Sequence, residues 1–158
     1  MNSTKIFFPI IGLFLLQFLL SDFLSIKGIR PDFILIYILY TSIRYGNFYG
    51  VTVGFFLGIL VDLVGVGSFF GLTSLTFVIT GYLAGFLKDK NDTMIPAYFH
   101  LNWFCIVLIH FFVYSFVRYQ DLFENNVYVF WSTWFLTTGY TCGFLLILQM
   151  IYPIQEFD

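Results

Sequence analysis

The residues able to do chemistry are few in this chain, and each is set almost alone in an apolar stretch. Asp62 stands in GFFLGILVDLVGVGSFFG (Gly54 to Gly71), which otherwise holds only apolar residues, glycine and one serine. His100 and His110 lie ten residues apart in the run from Met94 to Val117. Proton transfer at Asp62 would need a second titratable group nearby, and the sequence supplies no obvious one. Ten residues turn the two histidines ~80° apart on a helix, which is not a metal-ligand spacing. A histidine hydrogen-bonded inside a helix bundle is the simpler expectation. No serine-histidine-acid order, HExxH, glycine-rich phosphate loop or lipid-enzyme acidic pair occurs. Neither catalysis nor a cofactor or metal site is expected. Cys105 and Cys142 fall in apolar runs and read as small hydrophobes.

The elements that must position these residues follow from composition. Of 158 residues, 59% are hydrophobic and only 10% charged. An ordinary soluble domain carries about 25% charge, so too little is present here to cover a water-facing surface. Long apolar runs broken by short polar stretches indicate an all-α polytopic membrane protein in a lipid bilayer. The net charge of -2 and the lack of a basic cluster give no reason to expect a nucleic-acid partner.

Six apolar segments are expected to form one integral membrane domain over 1–158, with spans near 6–24, 32–45, 48–66, 68–87, 94–117 and 127–152. A spanning helix needs ~20 residues, and only the second is short. Starting at Pro31, it reaches only ~22 Å at 1.5 Å per residue. A full span in thinned bilayer and a re-entrant segment both remain open. The first segment lacks a small-x-small cleavage site before Lys27, so it is expected to stay as a span. No internal repeat is visible. With six spans, Lys5, Arg44, Lys88 and Lys90 share one side and Lys27, Arg30 and Arg118 the other. The pair in KDKND (Lys88 to Asp92) tips both termini toward the cytoplasm. Tyr98, Trp103, Trp131 and Trp134 suit interfacial anchoring, or simply add hydrophobic bulk.

Gly50, Gly54, Gly58 and Asp62 are spaced four apart, each step adding ~40° on a helix. They make a slanted stripe of exposed backbone ending in a carboxylate. Small residues at that spacing let a second helix approach closely, in the bundle or in a partner protein. Acidic residues in membranes pair or face the bundle interior, so Asp62 is read as architectural. Lys27, Arg30 and Arg118 are its candidate partners. Asp32 follows Pro31, where a carboxylate complements a helix start. Thr137, Thr138, Thr141 and Gly143 make a small-residue patch, read as packing.

RPDFILIYILY (Arg30 to Tyr40), the Gly50–Asp62 stripe and GVGSFFGLTSLTFVITGYLAGFLKDK (Gly65 to Lys90), with its Gly81–Tyr82 pair, together resemble the rod shape-determining protein MreD family. The likeness covers a little over a third of the chain. It implies a scaffold of the bacterial cell-elongation machinery in the inner membrane. Its implied partners are MreC, a single-span protein, and, directly or indirectly, MreB, RodA and a penicillin-binding protein. It also implies a fold similar to the six-helix substrate-binding components of energy-coupling-factor transporters. Pro31, Asp32, Gly54, Gly58, Asp62, Gly65 and Gly71 carry over as motif residues for helix packing or partner docking, joined by Gly50 from the stripe. The alternative is a substrate-binding subunit of a vitamin transporter. It lacks the Ala-x-x-x-Ala stripe such proteins use on their first span and the convergent polar groups of a pocket. A homodimer is left open.

Overall fold

The computed structural model describes residues 17, 23–25, 29–64, 69–90, 93–151 and 154. Most of the expected first span lies outside these, as do Lys27 and Gly65. The described chain is helical, with six helices and no strand among the described residues. They are α1 (Phe33–Tyr45), α2 (Asn47–Val64), α3 (Leu72–Gly85), α4 (Pro96–Arg118), the short α5 (Gln120–Asn125) and α6 (Val127–Ile151).

Three of them, α2, α4 and α6, are long and apolar enough to cross a membrane. At 1.5 Å per residue they reach ~27, ~35 and ~38 Å, against ~20 Å for α1 and ~21 Å for α3. The fourth expected span, 68–87, is thus shorter than its apolar run. Gly71 stops it at the front with φ +93°, and the chain turns at Phe86 behind. The polar stretch 118–126, expected as a plain connection, contains α5.

The short helix α1 is the centre of the molecule. Nine of its thirteen residues are buried, among them Ile34, Leu35, Ile38 and Leu39 at 1% exposure or less. A helix apolar on nearly every side belongs inside a bundle. Its length therefore does not have to match the hydrocarbon, because protein surrounds it. Around it, α2 and α3 form the most intimate pair, α4 packs on α3 and α6, and α5 rests on α6. The outward faces carry large apolar side chains such as Phe55, Phe56, Phe135 and Met150. That apolar-outside arrangement suits a lipid solvent.

Aromatic rings join α4, α5 and α6. Phe123 of α5 meets Phe116 at 5.3 Å and Phe130 at 5.1 Å, edge to face. Tyr98 and Trp131 are exposed, whereas Trp103 and Trp134 are buried. Trp103 and Trp134 are therefore packing residues rather than interfacial anchors. Each sits on a face of its helix that is turned into the bundle.

Candidate functional site

The glycine stripe of α2 lies against α3. A Cβ on Gly54 would come 2.7 Å from the carbonyl oxygen of Phe77, and one on Gly50 would come 2.6 Å from that of Gly81. At Gly58 it would meet the backbone of Ser74, and at Gly85 that of Asn47. These pairs step in opposite directions along the two helices, so the seam is antiparallel. Gly50 also abuts the Ser42 side chain of α1, which makes that point a three-helix junction. The stripe is consumed inside the bundle.

Polar side chains fasten both ends of the seam. At one end Asn47 Nδ2 donates to the Tyr82 carbonyl at 3.0 Å. At the other, Asp62 Oδ2 accepts from the backbone amides of Gly71 at 2.9 Å and Ser74 at 3.3 Å. Between them, Ser74 Oγ donates to the Phe55 carbonyl at 3.1 Å. The carboxylate thus satisfies free amides at the start of α3, where the helix dipole favours negative charge. A hydrogen bond to a charged acceptor contributes about 1.5–3 kcal/mol. That matches the cost of an acid at a membrane helix centre, roughly 2.5–3.5 kcal/mol, and exceeds the lower cost near its end. The candidate pairing of Asp62 with Arg118 is not made among the described residues; the partners of the carboxylate there are the α3 amides on Oδ2. Gly71 is required by its positive φ alone, since a Cβ there would meet nothing within 4 Å.

A second constellation surrounds the start of α1. Asp32 Oδ1 accepts from Leu35 N at 2.8 Å as the helix cap. Its own amide donates to Thr141 Oγ1 of α6 at 3.2 Å. Gln17 bridges the same turn, donating to the Pro31 carbonyl at 3.2 Å and accepting from Phe33 N at 2.9 Å. Pro31 needs no partner for a backbone N–H it lacks. Thr141 is fourteen residues beyond Val127, so α1 begins ~21 Å along α6 rather than level with its start. The space beyond the short helix is left open as a cavity of about 530 Å³.

This cavity lies where α1 and α3 begin and α2 and α4 end, beside the first half of α6. Its apolar wall includes Ile34, Phe77 and Phe111, and its polar groups include Arg30, Tyr114, Arg118, Tyr119 and Thr133. The charges of Arg118, Asp32 and Asp62 all act on the Tyr114 hydroxyl. His110 borders the buried end. The hydroxyl proton of Thr80 goes to the Thr76 carbonyl at 2.8 Å, which leaves Thr80 Oγ1 to accept from His110 Nδ1 at 2.9 Å. The network so assigns the Nδ1–H tautomer. His100 is far from this group, accepting from Trp103 Nε1 at 3.0 Å. No cluster of metal-ligating side chains occurs among the described residues.

The positions singled out in sequence thus divide between two places. Gly50, Gly54, Gly58, Asp62 and Gly71 lie along the α2–α3 seam; Pro31 and Asp32 lie at the cavity. The small-residue patch on α6 also splits. Thr138 and Thr141 are buried and Thr137 lines the cavity, while Gly143 faces outward with open space around it. In the structure Asn47 joins the seam, and Tyr114, Tyr119 and Thr133 join the cavity. Their only sequence signal is polarity near a segment end, which many residues share.

Among known families, the rod shape-determining protein MreD family matches residues 2–116, more than half of the chain. No curated protein and no solved structure matches it. The matched stretch takes in α1, α2, α3 and nearly all of α4, and with them the seam and the start of α1 that shapes the cavity. On that extent, this chain belongs to the rod shape-determining protein MreD family.

Proposed function

We propose that the chain is a non-enzymatic membrane adaptor of the bacterial cell-elongation machinery. In this reading it binds the single-span protein MreC and helps couple the MreB cytoskeleton to peptidoglycan synthesis by RodA and its penicillin-binding protein. It sits in the inner membrane with both termini cytoplasmic. The single observation that carries the reading is the family match over residues 2–116, which supports a role in rod shape determination. It gives no support to the vitamin-transporter alternative.

The geometry supports an architectural rather than a chemical use of the motif residues. Gly50, Gly54, Gly58, Asp62 and Gly71 build the α2–α3 unit, Pro31 and Asp32 anchor the start of α1, and Gly65 lies outside the described residues. Because the stripe is turned toward α3, a partner is met by other surfaces of the unit. The whole is proposed to share the six-helix arrangement of energy-coupling-factor substrate-binding components, with the first segment as its remaining span. Co-purification from native membranes in mild detergent, read by mass spectrometry, tests the reading. Recovery of MreC with wall-synthesis enzymes is expected. Recovery of ATPase subunits with their membrane coupler instead would overturn it.

A further inference from the structure

We propose that the cavity beyond the start of α1 binds the phosphate of an anionic phospholipid headgroup, with Arg118 as its cationic contact. This stands on the cavity alone and does not depend on which proteins the chain assembles with.

The guanidinium of Arg118 is the first reason. Asp32 lines the cavity and Asp62 lies near it, each with one carboxylate oxygen on backbone amides. Asp32 Oδ1 takes the Leu35 amide, and Asp62 Oδ2 takes the amides of Gly71 and Ser74. The positive ends of α1 and α3 offset their charge. Arg118 forms neither an ion pair nor a hydrogen bond among the described residues, although it lines a cavity within an apolar bundle. Arg118 is the last residue of α4, where the helix dipole favours a cation, and its guanidinium keeps donors to give. Arg30 lines the exposed end of the same space.

The donors match a phosphate. A guanidinium presents a planar fork that grips two oxygens of a phosphate together. The hydroxyls of Tyr114, Tyr119 and Thr133 line the same space, and none makes a hydrogen bond among the described residues. Thr137 differs, since its hydroxyl already donates to the Thr133 carbonyl at 2.8 Å. The apolar wall of Ile34, Phe77 and Phe111 offers no further polar partner, which suits the glycerol and upper acyl part of a lipid. About 530 Å³ falls within the roughly 300–1,000 Å³ of small-molecule sites. The surrounding membrane is the nearest source of such a phosphate.

The test uses the full-length protein in mild detergent, with palmitoyl-oleoyl phosphatidylglycerol or palmitoyl-oleoyl phosphatidylcholine added and bound lipid read by native mass spectrometry. Phosphatidylglycerol is expected to be retained preferentially. Arg118→Gln should weaken its retention roughly tenfold, the loss of one charge-assisted contact, and Arg118→Lys should restore part of it. Tyr119→Phe and Thr133→Val change no charge and should each weaken retention by about two- to fivefold. They keep the proposal open to refutation if the arginine variants fail to fold. Equal retention by the wild type and all these variants would overturn it, as would a bound polypeptide in place of lipid. Displacement of the lipid by millimolar inorganic phosphate would overturn the lipid source while keeping the phosphate chemistry. Resistance to displacement supports the lipid.

Discussion

An acid in a membrane helix invites a catalytic or proton-carrying role, and Asp62 is the residue on which that choice turns. Its Oδ2 accepts two backbone amides from the start of α3, so its work is to hold two helices together. Asp62→Ala removes the oxygen that accepts both bonds and should lower stability by about 0.5–2 kcal/mol, the usual loss for a helix cap. Asp62→Asn keeps one acceptor oxygen in place and should cost less. Thermal unfolding in detergent, followed by circular dichroism, measures both. A proton-carrying Asp62 would give another result: both variants would lose function equally, while Asp62→Asn left stability and abundance untouched. Capping could be anticipated from the sequence only as a satisfied acid near a helix end. The partner was not legible, because backbone amides carry no residue-type signal.

At the scale of elements, the α2–α3 seam depends on missing side chains. Gly58→Ala would drive a methyl into the Ser74 backbone, and backbone cannot swing aside as a side chain can. A loss of about 1–3 kcal/mol is expected, the range for overpacking. Gly143→Ala, with open space around its Cβ position, should be neutral or stabilising by up to about 1 kcal/mol through helix propensity. The opposite signs of the two glycine changes, measured in one detergent, test whether the seam carries stability. Spacing four residues apart was enough to foresee one close face on α2. It did not say that the opposing helix is α3 or that Gly81 and Gly85 complete the contact, since that needs the register of two helices.

For the whole molecule, the apolar outer faces and the three long helices define what the bundle presents to its surroundings. With six spans, reporters fused at Asp158 and within Ser25–Arg30 should report opposite sides of the membrane. The same side for both would overturn the six-span arrangement or show that the first segment does not insert. The cavity also belongs to this scale. It exists because the ~20 Å α1 begins ~21 Å along α6, a property of no single element.

The sequence by itself determined the class of solvent, the number of apolar segments and the identity of the stripe. These depend on composition and local period, and both are written along the chain. Family likeness was readable too, in the order of Arg30–Tyr40, the stripe and Gly65–Lys90. Tertiary structure alone decided that α1 is the buried centre, that the stripe is spent on α3, and that Trp103 and Trp134 face inward. It alone brought Arg118, Tyr114 and Thr133 around one space. Each of these requires knowing which side of a helix meets which neighbour. In a chain that is apolar nearly everywhere, hydrophobic patterning does not mark an inner face, so only packing could choose it.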